Sequence, residues 1–187
     1  MQTAHYFIAI PIQPELQNQF SKWQEALKQR IPFRRWYNKK DLHITLKFLG
    51  AVEEENVQSL HNQLSQINTM PTFNLEVGTL GYFGNSKQPR VVWAGVKMKK
   101  ELETLQQNVE QCASKVGYPK ETRNYRPHIT LAKKWNGKME DTYNETLMEL
   151  KDSYTDTFQM EVNHFVLYKI YPSREVKYEA VFSYPLQ

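Results

Sequence analysis

"DLHITLKFLG" at residues 41–50 and "YRPHITLAKK" at residues 125–134 share the tetrapeptide His-Ile-Thr-Leu, once at His43 to Leu46 and again at His128 to Leu131. The chain has five histidines, and two of them stand in this same setting 85 positions apart. Side chains alternate faces along a β-strand, so His43, Thr45 and Lys47 are expected on one side, with Ile44, Leu46 and Phe48 on the other. The second copy places His128 and Thr130 opposite Ile129 and Leu131 in the same way. Each copy thus reads as a strand with an apolar face for the core and a polar face carrying an imidazole and a hydroxyl. If the strands are equivalent elements of two pseudo-symmetric lobes, their polar faces can meet across a cleft, with cations nearby at Lys47, Lys133 and Arg126.

The flanking text supports a mixed fold. "HYFIAIPI" (5–12) is apolar and β-rich, and Pro11 and Pro14 end it. Leu16, Phe20, Trp23 and Leu27 then recur at helical spacing until Pro32. After the first HITL strand, Val57, Leu60, Leu64 and Ile67 line a second helix, with three acids in its first turn where the macrodipole favours them. "FNLEVGTLGYF" and "RVVWAGVK" read as paired strands around the turn-like "GNSKQP". A third helix carries Leu102, Leu105, Val109, Cys112 and Val116 on its apolar face and closes at Gly117, which makes Cys112 a core residue. A polar segment from Met139 to Lys151 is a weaker helix candidate. "TFQMEVNHFVLYKIYPS" and "VKYEAVFSYPL" are expected as two long strands joined near Ser173 and Arg174. The order predicts an α+β fold with largely antiparallel sheets, one domain over residues 1–187.

Composition narrows the possible functions. The chain has 187 residues, 40% hydrophobic and 24% charged, with 4 Trp, 11 Tyr and 9 Phe, which is enough for a folded core and outside the range of disorder. A net charge of +4 permits a polyanionic partner but falls short of a duplex-coating protein. One cysteine, no CxxC and no Cys/His cluster point to a reduced cytoplasmic protein without metal or other cofactor. No apolar run approaches the roughly 18 residues of a membrane span, and no signal peptide is expected.

Paired imidazoles and hydroxyls suit metal-independent phosphodiester chemistry. A neutral imidazole takes a proton from water while a protonated one gives a proton to the leaving oxygen, and a pKa near 6.5 lets both forms coexist. Thr45 and Thr130 can donate to phosphoryl oxygens while a cation holds the charge. The plainer reading is that a strand histidine is a satisfied core or surface residue and "ITL" is ordinary strand text. Structural duplication accounts for Ile and Leu, but gives no reason to keep His and Thr on the polar face. His5, His61 and His164 lack the setting and read as structural or surface residues, His61 on the polar side of its helix. No acid, Cys or third His lies at zinc-ligand spacing.

Two HxTx motifs in a chain of this size resemble the 2H phosphoesterase superfamily. The flanks "HYFIAIPI", "LHITLKFLG", "RVVWAGV" and "RPHITLAKK" are similar to those of bacterial and archaeal RNA 2′,3′-cyclic phosphodiesterases, historically called 2′-5′ RNA ligases. The resemblance implies a bilobal fold with helices packed outside and one motif from each lobe in a central cleft. It also implies hydrolysis of a terminal 2′,3′-cyclic phosphate on RNA to a 2′-phosphomonoester, with weak reversible 2′-5′ ligation. By that resemblance His43 is the proton donor to the departing 3′ oxygen, His128 the proton acceptor that activates water, and Thr45 and Thr130 the phosphate ligands. Relatives commonly carry Arg at the sixth position of the second motif, where this chain has Lys133. Lys keeps the charge without the bidentate fork, and Lys134 or Arg126 are the alternative cations.

The expected partner is an RNA with a cyclic phosphate end, such as a tRNA half or a nucleotide, met by a monomer that does not engage membranes. "RRWYNKK" (34–40) and "GYFGNSKQPR" (81–90) combine aromatic and basic residues that could hold such an end. Two other readings stay open at this stage. One is a non-catalytic RNA- or nucleotide-binding module, and the other is the same chemistry on a different cyclic or 2′-5′ linked nucleotide.

Overall fold

Strand β1 (His5–Pro11) is buried along nearly its whole length, as expected of an apolar run covered on both faces. It sits inside a nine-stranded antiparallel sheet seen in a computed structural model that describes residues 3–85, 87–137 and 143–187. The other strands are β2 (Phe33–Trp36), β3 (His43–Ala51), β4 (Phe73–Gly84), β5 (Pro89–Val96), β6 (His128–Trp135), β7 (Thr157–Val162), β8 (His164–Ile170) and β9 (Tyr178–Pro185). Their order is β7-β4-β5-β6-β3-β1-β8-β9, with β2 on β6 beside that path. The two HITL strands, β3 and β6, are therefore neighbours at the middle of the sheet. They are joined by a single residue pair, Ile44 with Ile129.

Outward from that seam, each half has a HITL strand, then an earlier strand whose connection to it runs through a helix (β1 through α1, β5 through α3), then two more. The α+β class holds, and both halves belong to one hydrogen-bonded sheet. The C-terminal text departs from its expected form. "TFQMEVNHFVLYKI" is two strands broken at Asn163, and they go to opposite sides, β7 onto β4 and β8 onto β1. One continuous strand could not pair with both.

The helices are α1 (Pro14–Lys28), α2 (Glu54–Leu64), α3 (Lys100–Lys115) and α4 (Tyr143–Ser153). Residues 139–142 of the polar segment considered for the last helix lie outside the described residues, as does Ser86 of the β4–β5 turn. Pro14 starts α1 where its missing N–H costs nothing, and the buried Leu16, Phe20, Trp23 and Leu27 contribute about 1.5–3 kcal/mol each on burial. Trp23 and Phe20 meet Phe158 and Tyr154, so α1 covers the half built on β6. In the other half α3 packs on β3, while His61 of α2 stacks on Phe182 of β9 at 3.9 Å. His61 is thus a packing residue rather than one on a solvated helix face. Cys112 is buried, as its apolar stripe required.

Candidate active site

Strict alternation holds through each tetrapeptide and breaks at its end, and the break is what places the residues that follow. Between β1 and β3 the register skips at Leu46, and between β5 and β6 it skips at Leu131. Each skip is a β-bulge, so two successive residues, Leu46-Lys47 and Leu131-Ala132, turn toward the core together. Residues after the bulge then change sides.

Lys47 is the first consequence. Expected beside His43, it is instead buried on the core side, where its ammonium donates to Glu110 at 2.7 Å and to the carbonyl of Pro119 at 2.8 Å. Lys133 is the second. Alternation alone would have sent it to the core, and the bulge returns it to the face of His128 and Thr130, its ammonium 5.2 Å from the centre of the Tyr37 ring. Phe48 occupies the position in the first motif that Lys133 holds in the second. It is 62% exposed, where the opposite half has a cation.

Each bulge is pinned by a buried polar side chain from a helix. Gln24 of α1 donates to the Leu131 carbonyl at 2.9 Å and to the Tyr37 carbonyl at 2.8 Å. Glu110 of α3 accepts from Lys47 and from the Glu121 amide at 3.2 Å. Both sat in helical text whose other inward residues are apolar, the one signal in the sequence that could have flagged them.

The two imidazoles are oriented alike. His43 Nδ1 lies 2.7 Å from the Asp41 carbonyl, and His128 Nδ1 lies 2.7 Å from the Arg126 carbonyl. A carbonyl only accepts, so Nδ1 carries the proton in each neutral ring and Nε2 is left for other work. For His43 the Thr45 hydroxyl is 3.0 Å from Nε2 and donates to it. Arg126 contributes through its backbone; its exposed guanidinium makes no hydrogen bond or ion pair among the described residues. Continuing the Ile44–Ile129 register by one residue sets His43 beside Thr130 and Thr45 beside His128. The pairing brings the two motifs side by side, and His43 lies close enough to His128 to feel its charge.

The surroundings set the charge of the pair. Burial pushes the His43 pKa down to about 4, against the raising effect of the Asp41 carbonyl, and the nearby His128 and Lys133 charges push it lower. Burial also lowers His128, opposed by the Arg126 carbonyl. Aromatic rings crowd both. Phe7, at 4.7 Å, and Tyr178, at 5.2 Å, flank His43, while Phe83 meets His128 edge-on at 4.8 Å. Among the described residues, no three His, Cys, Asp or Glu side chains converge so as to hold a metal ion.

Asp41 was not anticipated. Its buried carboxylate accepts from the Lys177 and Tyr178 amides at 2.9–3.1 Å, which ties the β8–β9 loop to the carbonyl that holds His43. Tyr125 makes a second tie, donating to the Thr45 carbonyl at 3.0 Å. "RRWYNKK" resolves into the end of β2, a connecting Tyr37 and a 3-10 turn at Lys39–Asp41. Of "GYFGNSKQPR", Gly81 to Gly84 end β4, and Pro89 and Arg90 begin β5.

The chain is similar to known proteins. A family model described as the 2′-5′ RNA ligase superfamily matches residues 12–173. An RNA 2′,3′-cyclic phosphodiesterase of Geobacillus stearothermophilus is 33% identical over the whole chain, which spans 58% of that protein's length. One of the same name from Bacillus subtilis is 33% identical over 97% of the chain and 96% of its own length. Escherichia coli LigT, solved with 3′-AMP, superposes with a TM-score of 0.78 over 100% of this chain and 99% of its own at 24% identity, a likeness of fold. With a family model over most of its length and a full-length relative at one third identity, the chain belongs to the 2′-5′ RNA ligase superfamily.

Proposed function

We propose that the protein is a metal-independent phosphodiesterase that hydrolyses the 2′,3′-cyclic phosphate end of RNA to a 2′-phosphomonoester. The observation that carries this reading is the matched pair of imidazoles, each with Nδ1 committed to a carbonyl two residues upstream and Nε2 turned to the same face of the sheet. Relatives named RNA 2′,3′-cyclic phosphodiesterase support it. The whole chain acts as one bilobal unit, with one motif from each half.

In the reaction, His128 Nε2 takes a proton from a water whose oxygen attacks phosphorus. The P–O3′ bond breaks, and protonated His43 gives its Nε2 proton to the departing 3′ oxygen. The products are a 3′-hydroxyl and a 2′-phosphate, with one water consumed. Thr45 and Thr130 donate to the non-bridging oxygens, and Lys133 neutralises charge there, with Arg126 and Lys134 as the alternative cations. Replacing water by the 5′-hydroxyl of a second RNA gives 2′-5′ ligation by the same path.

An acid with a resting pKa near 4 is unprotonated at neutral pH, so substrate must change it. A bound phosphate monoanion supplies the opposite charge that favours imidazolium. As the phosphate enters, Thr45 exchanges its hydrogen bond from His43 Nε2 to a phosphoryl oxygen, leaving that nitrogen free to take up a proton. RNA ends such as those left by tRNA cleavage are the substrates that fit, acted on by a cytoplasmic monomer. No helix among the described residues is long and apolar enough to cross a membrane.

The test is to incubate the protein in EDTA with an oligoribonucleotide ending in a 2′,3′-cyclic phosphate and to identify the product by phosphorus NMR. A 2′-monophosphate is expected. An unchanged cyclic end, or activity unaffected by His43→Ala and by His128→Ala, sinks the reading.

A further inference from the structure

Arg35 lies directly across from Lys133 in the pairing of β2 with β6. Opposed residues share a face of the sheet, and Tyr37, two residues on, lies under the Lys133 ammonium on that same face. Trp36 turns the other way, toward Lys28 of α1. Arg35 therefore stands on the side that carries both imidazoles.

Its electrostatic surroundings are unusual. Arg35 is half-buried, yet among the described residues its guanidinium has neither an ion pair nor a hydrogen bond. The acid that feels its charge, Asp41, already spends both carboxylate oxygens on the Lys177 and Tyr178 amides. Like charges directly opposed on a sheet cost stability, and no carboxylate bridges this pair. A guanidinium left unneutralised beside a second cation is a place made for an anion with oxygen acceptors, which its planar fork suits.

The position of that anion follows from which groups feel which charge. Lys133 shares β6 with His128 and its charge is felt at His43, whereas Arg35 stands on the neighbouring β2, with its charge felt at Asp41 and Tyr178. We infer that Arg35 forms a second phosphate subsite, which takes the phosphodiester next to the cyclic end while Lys133 serves the reacting phosphate. This rests on the proposed function for the identity of the ligand, an RNA 3′ end. The subsite makes the enzyme prefer an oligonucleotide over a cyclic mononucleotide, which has no second phosphate to offer.

The test uses the full chain and two variants, Arg35→Gln and Arg35→Lys. Binding of a short single-stranded oligoribonucleotide ending in a 3′-phosphate is followed by fluorescence anisotropy from low to moderate salt. The expected result for Arg35→Gln is about tenfold weaker binding, with the slope of log affinity against log salt reduced by about 0.7, the value of one phosphate contact on a single strand. Arg35→Lys should keep the slope and lose less affinity. Thermal stability should not fall in Arg35→Gln, because a repulsive pair is relieved. In turnover, the ratio of kcat/KM for a cyclic-ended oligonucleotide over 2′,3′-cyclic AMP should drop about tenfold. An unchanged salt slope, or equal losses on oligonucleotide and mononucleotide, overturns the subsite. Failure of the unmodified protein to hydrolyse either substrate counts instead against the proposed function, since the binding arm needs no turnover.

Discussion

Ile44 and Ile129, each fully buried, pair β3 with β6 and so bring the two HITL motifs side by side. Truncating either isoleucine should harm stability and chemistry together. Ile129→Ala is expected to cost about 2–5 kcal/mol and Ile129→Val about 0.5–1.5 kcal/mol. Urea unfolding measures the first effect. For the second, kcat should fall more than KM changes in the Val variant, because the spacing of acid and base is altered while phosphate ligands remain.

Folding should become less favourable in mild acid, and His43 should account for much of it. Burial lowers its folded pKa to about 4, so between the unfolded value near 6.5 and that point the unfolded chain binds a proton the folded chain refuses. Stability is therefore full above pH 6.5 and declines as pH falls toward 4, by on the order of 3 kcal/mol for this group. His43→Gln should flatten that limb of the unfolding curve measured against pH. A limb equally steep in the variant would assign the loss to other groups.

Binding of a phosphate ligand should take up a proton, since the anion raises a lowered His43 pKa. Calorimetry of 2′-AMP binding near pH 6 in buffers of different ionisation enthalpy is expected to report net uptake, reduced in His43→Ala. Lys133→Ala removes a charge that holds the His43 pKa down, so its imidazole signal should titrate at higher pH in NMR, while kcat/KM falls roughly 10- to 100-fold.

Gln24 and Glu110 carry no motif of their own, yet each fixes a bulge. Gln24→Leu leaves the Leu131 carbonyl without its side-chain donor and should cost about 1–3 kcal/mol. Glu110→Gln strands a buried ammonium and should cost about 3–5 kcal/mol. The Gln24 variant should also raise KM, because the bulge it steadies is what turns Lys133 toward the imidazoles.

The repeated tetrapeptide, the helical stripes and the strand pairs were legible because alternation and 3.6-residue periodicity are local. From His43 to Leu46 and from His128 to Leu131, alternation held, and the histidines and threonines were placed correctly on one face. It failed one residue later at Lys47, because a bulge depends on partners 63 positions away in sequence, such as Glu110. Asp41 was missed for the same reason: its role lies in amides of a loop 136 positions distant. The break at Asn163 left no mark in a run of good strand residues, since which neighbour a strand pairs with is decided by the sheet as a whole.

A change of leaving group separates the acid from the base. An RNA cyclic phosphate with sulfur in place of the 3′ bridging oxygen releases a thiolate, which needs little help from an acid. If His43 is the acid and His128 the base, His43→Ala, strongly impaired on the oxygen substrate, recovers most of its rate on the sulfur substrate, whereas His128→Ala stays impaired on both. Recovery in His128→Ala instead, or in neither variant, would contradict the assignment.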